Sequence, residues 1–156
     1  MASGEELRGL MRRFPAGVAV VSVDLNGERV GLTIGTLIPL SLEPALVGFA
    51  VRREAALHEL LRATSIFGAS LLAAGQESLA QHFARGVPPI ALWEGIAVRE
   101  GDGPPLLEDA IGWLTGRVTA EVPAGEDTFF VGEVQSVEPG TRERPLVYVD
   151  RGYVSA

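Results

Sequence analysis

The sequence predicts one domain dominated by β-strands, with a few short helices packed on it. Three observations carry that expectation. Short β-branched and aromatic runs recur along the chain, among them "GVAVVSV" (17–23), "ALVGFAVR" (45–52) and "TFFVGEVQSVE" (128–138). Turn signals separate such runs, as in "DLNGE" (24–28) and the stretch 123–127. The segments with helical spacing are short. The 156 residues fit a single domain over 1–156 and suffice for a real core.

The elements follow in order. Ser3 with Glu6 fits a capping box, so a helix is expected over 4–14, with Leu7, Leu10, Met11 and Phe14 on its inner face. Pro15 limits it. Strand 17–23 turns at Asn26-Gly27 into a hairpin partner. That partner is "GLTIGTLIPLSLEP" (31–44), apolar enough for a core strand yet interrupted by Thr33, Gly35, Thr36 and Ser41. Period two puts Leu32, Ile34, Thr36, Ile38, Leu40 and Leu42 on one face, and Thr33, Gly35, Leu37, Pro39 and Ser41 on the other. Pro39 cannot donate to a ladder, which points to an edge, a bend or a bulge. Either the strand bends there, or it presents backbone and hydroxyls to something bound.

Strand 45–52, helix 54–63, strand 65–72 and helix 76–85 come next, with a break at 86–89 and a loop at 101–105. The last third is β in character: a long strand over 110–122, its antiparallel return over 128–138, a final strand at 145–149 and a short tail. About seven strands with two or three short helices fit an α+β domain or a β-barrel.

Composition narrows the chemistry. Cysteine is absent, which excludes disulfides and thiolate chemistry. All 13 basic residues are arginine, so no lysine Schiff base or P-loop lysine is available. A net charge of −7 argues against nucleic acid and anionic membrane as partners. No apolar run is long enough to span a membrane, the first residues lack a signal-peptide layout, and a cytoplasmic protein is expected. The two histidines, His58 and His82, fall on predicted helices and read as ordinary helical residues, not metal ligands. No catalytic acid, base, nucleophile or metal set stands out. The stretch 31–44 remains, where glycine would let a planar ligand approach the backbone.

Four blocks, in order, resemble the flavin reductase-like family of FMN-binding split barrels. They are "FPAGVAVVSV" (14–23) leading to "GLTIGTLIPLSLEP" (31–44), "FGASLLAAGQESLAQHFA" (67–84), "DTFFVGEVQSVE" (127–138) and "PLVYVDRGYV" (145–154). The resemblance implies a Greek-key FMN-binding split barrel, mainly β with short helices, and a homodimer. It implies reduction of FMN, or alternatively FAD, by NADH or NADPH, with the reduced flavin passed to a partner monooxygenase. The flavin accepts the hydride, so no protein acid or base is required.

The site residues it implies are Thr33, Gly35, Thr36 and Ser41 along the isoalloxazine and ribityl chain, with Phe83 and Asp127 at the mouth; Arg52 and Arg53 are candidates for the phosphate where the family's hydroxyls are missing. Several positions depart from the family pattern. Gly35-Thr36 replaces an Asn-Ser pair, Ala55 and Leu57 replace phosphate-binding hydroxyls, Ser70 replaces an asparagine, and Asp127 replaces a histidine. Those departures open a second reading, a flavin-binding module without nicotinamide-dependent turnover. A third is an assembly partner whose pocket has decayed.

Overall fold

The computed structural model describes residues 1–85 and 89–156. The elements run α1 (Gly4–Met11), β1 (Ala16–Gly17), β2 (Ala19–Leu25), β3 (Glu28–Ile34), β4 (Ile38–Leu42), β5 (Ala45–Arg52), α2 (Ala56–Thr64), β6 (Ile66–Leu71), α3 (Glu77–Ala84), α4 (Pro89–Leu92), β7 (Gly112–Ala124), β8 (Asp127–Pro139), β9 (Leu146–Val149) and β10 (Gly152–Ser155). The predicted break at 86–89 lies, except for Pro89, outside the described residues.

The fold is mainly β. Seven strands form one antiparallel sheet in the order β3-β2-β6-β7-β8-β5-β4, and β1-β9-β10 form a second, smaller one. A flat seven-stranded sheet would hold its edges roughly 29 Å apart. The two edge strands here are β3 and β4, consecutive in sequence and joined only by Gly35, Thr36 and Leu37. A link of that length reaches at most roughly 14 Å. The sheet therefore curls until its edges approach, and the seam is tied by Thr36, whose hydroxyl accepts from Ala50 N–H at 3.0 Å and donates to Ala50 C=O at 3.2 Å.

The β2–β3 hairpin turns on Asn26 and Gly27, both with positive φ (53° and 90°). This is the primed turn that matches strand twist. Strand β2 is apolar on both faces because both are covered. Ala19, Val21 and Val23 join Phe49, Phe67 and Phe130 inside the curled sheet, while Val20, and Val18 just before the strand, pack outside it with Phe83, Leu107 and Leu146. The Phe67 ring fills the interior between Gly116 and Gly132. A Cβ at either glycine would come within 2.7 Å of that ring. Helix α2 closes one end with Leu57, His58 and Leu61. Helix α3 lies on β3, where Thr33 Oγ1 donates to Ala80 C=O at 2.7 Å.

Three expectations are corrected. The stretch 31–44 is not one strand. It breaks at Gly35, so Ile34 is buried in the core while Ile38, Leu40 and Leu42 are exposed. Helix α1 stops at Met11 and buries none of its residues, leaving Leu7, Leu10 and Met11 exposed, with Phe14 beyond it exposed too. The tail after Val149 pairs as β10.

Candidate functional site

The break between β3 and β4 creates the site. Where β3 ends, its last residues wall a groove of about 210 Å³ lined by Val18, Thr33, Ile34, Gly35, Ala84, Tyr148 and Tyr153. Thr33 and Gly35 were expected at such a place, and both line it. Gly35 and Thr36 are exposed. Among the described residues, Gly35, Thr36 and Leu37 make no backbone hydrogen bond outside the ladders. Backbone donors and acceptors along this link are therefore open to a ligand's polar edge. A Cβ at Gly35 would meet Ala16 Cβ at 3.4 Å and Gly17 O at 3.7 Å, ordinary contacts. Glycine here thus serves approach from outside more than fit within the chain.

The seam's other side holds Thr36 against Ala50, and two residues further along β5 comes Arg52. Arg52 lies opposite Asp127 in the β5–β8 ladder. Its guanidinium contacts Glu54 and Glu126, each at 3.5 Å and all three well exposed. Loose exposed pairs of this kind contribute little and exchange readily. Arg53, also exposed, donates its N–H to Glu126 C=O at 3.1 Å. The N-cap of α2 is Ala55, which has no side-chain cap, so that helix N-terminus keeps unpartnered N–H groups beside the two arginines.

Two expected site residues stand apart. Phe83 is buried at 2% exposure, edge to face with His82 and 5.0 Å from the Trp93 ring, beneath β3. Ala80 and Phe83 share the inward stripe of α3, which explains its burial. Ser41 lies further along β4, past the bulge between Pro39 and Ser41. Ser70 is buried, and its hydroxyl accepts from Leu107 N–H at 2.9 Å.

Buried His58 holds a polar array at the α2 end. Its Nδ1 lies 2.5 Å from a Glu59 carboxylate oxygen and its Nε2 lies 2.7 Å from Thr128 Oγ1. A carboxylate only accepts, so Nδ1 carries the hydrogen, and in the neutral ring Nε2 accepts from the Thr128 hydroxyl. The bond from His58 is the main cause that holds the Glu59 carboxyl below its ordinary range. Burial opposes that shift and the Arg62 charge adds to it.

Of the groove residues beyond Thr33 and Gly35, the aromatic ones are Tyr148 and Tyr153. They are direct partners in the β9–β10 hairpin, their rings edge to face at 5.2 Å. The signal was present as two aromatic and β-branched runs flanking Asp150-Arg151. It was obscured because the turn carries no glycine at its centre. Among the described residues, no group of three or more His, Asp or Glu could hold a metal ion.

Comparison with known proteins bears on this geometry. The flavin reductase like domain matches residues 11–156. The reductase component of 4-hydroxyphenylacetate 3-monooxygenase from Thermus thermophilus is 40% identical over 149 residues, covering 96% of this chain and 94% of that protein. An NADPH-flavin oxidoreductase from Streptomyces viridifaciens is 36% identical over 91% of this chain and 75% of its own length. Among solved structures, an NADH:FAD oxidoreductase from Streptomyces globisporus superposes with a TM-score of 0.90 at 30% identity, covering 99% of this chain and 95% of that one. A flavin reductase complexed with NADP+ superposes with a TM-score of 0.88 at 30% identity, over 99% and 98% of the two chains. With the domain matched over residues 11–156 and relatives 40% and 36% identical over 94% and 75% of their own lengths, the chain belongs to the flavin reductase like family.

Proposed function

We propose that this chain is an NAD(P)H:flavin oxidoreductase that supplies reduced flavin to a partner monooxygenase. The observation that carries the reading is the seam at Gly35–Leu37. A mostly apolar groove lies on one side of it, and two exposed arginines beside an uncapped helix lie on the other. Isoalloxazine is a flat apolar ring with a polar pyrimidine edge, joined through a ribityl chain to an anionic phosphate. Groove, open backbone and arginines match those three parts in kind.

When bound, the flavin accepts hydride from the nicotinamide. The protein's own work is binding and orientation. Gly35 lets the ring lie against the backbone, and Thr33 and Thr36, whose hydroxyls are held by Ala80 and Ala50, flank it. Arg52, Arg53 and the α2 N-terminus hold the phosphate in place of the family's hydroxyls. Asp127 borders the open end, Phe83 supports β3 from below, and Ser41 contributes along β4. FMN is the assigned flavin, with FAD the alternative. The curled sheet is read as a split barrel.

We assign a homodimer from the exposed apolar residues of α1 and of the β4 edge, Ile38, Leu40 and Leu42. The hydride donor is a cytoplasmic metabolite, so the protein is placed in the cytoplasm. Among the described residues, no helix is long and apolar enough to cross a membrane.

Asp127 favours a second reading, a flavin-binding module without nicotinamide turnover, because a carboxylate repels an anionic dinucleotide. Arg52 lies opposite it in the ladder, with its guanidinium on Glu54 and Glu126. Titrating FMN and FAD against the purified protein tests the shared premise. Saturable quenching of flavin fluorescence is expected, and its absence with both flavins overturns both readings.

A further inference from the structure

The β9–β10 hairpin closes on Asp150 and Arg151, which stand at φ 52° and 62°. Both centre residues of this two-residue turn thus occupy the left-handed region, which a primed turn requires and which arginine rarely adopts. Strain of this kind persists only where surrounding structure enforces it. Here the turn is held from outside: Asp150 N–H donates to Arg12 C=O at 2.7 Å, and Tyr148 pairs with Ala16 of β1. The consequence is a fixed register. Tyr148 stands opposite Tyr153, and both line the groove with Thr33 and Gly35.

Edge-to-face packing satisfies the two rings without stacking them, so ring surface remains open toward the groove. Tyr148 is 38% exposed, a large aromatic side chain that the single chain leaves uncovered. The groove floor is apolar, from Val18, Ile34 and Ala84, while the Gly35 side supplies open backbone groups. An aromatic wall, an apolar floor and one polar edge suit a flat heterocycle with hydrogen-bonding groups along one side.

We infer that Tyr148 and Tyr153 form an aromatic wall against the isoalloxazine ring of bound flavin, positioned by the strained β9–β10 turn. The inference rests on the flavin-reductase reading and adds to it two positioning residues and the element that sets them.

Flavin fluorescence separates a contact from a merely structural role. A phenol in van der Waals contact with excited isoalloxazine quenches it by electron donation, and a phenylalanine ring of the same shape does not. FMN is the probe. Affinity is read by titration, and the bound-state lifetime by time-resolved fluorescence, on wild type, the Tyr148→Phe/Tyr153→Phe double variant and Tyr148→Ala. The expected result has three parts. Wild type binds FMN with a short bound lifetime. The double Phe variant binds within about twofold of wild type but with a lengthened lifetime. Tyr148→Ala weakens FMN about five- to tenfold, the loss of one aromatic contact. A double Phe variant with the wild-type lifetime would show that the tyrosines do not touch the ring. That outcome overturns the inference and leaves the flavin-reductase reading standing. Failure of wild type to bind FMN or FAD overturns that reading, and the inference with it.

Discussion

Gly35 and Thr36 are neighbours with opposite duties. Thr36 spends its hydroxyl on both backbone groups of Ala50, so its side chain closes the seam. Gly35 makes no comparable tie, and the space around it accepts a Cβ at ordinary contact distance. Gly35→Val is therefore expected to keep the fold, with a melting temperature within a few degrees of wild type, while flavin affinity falls tenfold or more. Fluorescence titration checks it, and unchanged affinity removes Gly35 from the site. Of the residues the sequence points to, Thr33 and Gly35 line the groove, Thr36 bonds Ala50, and Arg52 lies two residues beyond Ala50, opposite Asp127. Phe83 and Ser41 lie apart from them, Phe83 because the same helical stripe that brings it inward buries it against β3. Glu59 gives a further expectation. Its folded-state titration is held low by His58 and Arg62, so its contribution to stability is present above the ordinary carboxylate value. That contribution is lost as pH falls through the lowered value. Thermal melts across that acidic window should show wild type losing stability more steeply than Glu59→Gln. Parallel curves would mean that the ion pairs on α2 do not contribute.

Elements were legible where local chemistry agreed with the fold. The Asn26-Gly27 turn, the Ser3–Glu6 capping box and the long β7–β8 pair all formed as expected. The break at Gly35 was harder to see, because period-two alternation continues across it in the sequence and only the curl of the sheet ends β3 there. The β9–β10 hairpin was missed because Asp150-Arg151 is a poor sequence for its own turn. Relieving that strain should stabilise the protein. Arg151→Gly is expected to add about 1 kcal/mol, raising the melting temperature by roughly 2–4 °C. A lowered melting temperature would show that Arg151 makes contacts that outweigh its backbone strain.

At the scale of the whole molecule, the curled sheet leaves two apolar surfaces uncovered in the single chain. One is α1 with Phe14 and the other is the β4 edge, where Leu42 is 91% exposed. The sequence reading assigned Leu7, Leu10, Met11 and Phe14 to an inner face. They share one face of α1 and its end, but nothing within the single chain covers that face. Leu10→Glu with Phe14→Glu is expected to convert a dimer into a folded monomer, read by light scattering coupled to size exclusion. A wild-type monomer would contradict the assignment. The most direct test of the central claim, hydride transfer from NAD(P)H to flavin, is an anaerobic mix of the protein with FMN or FAD and NADH or NADPH. The oxidised-flavin absorption band is followed against a protein-free control. The account predicts rapid, catalytic bleaching with at least one nicotinamide. A band that persists while flavin is demonstrably bound would contradict it, and would leave a flavin-binding module in which Asp127 bars the hydride donor.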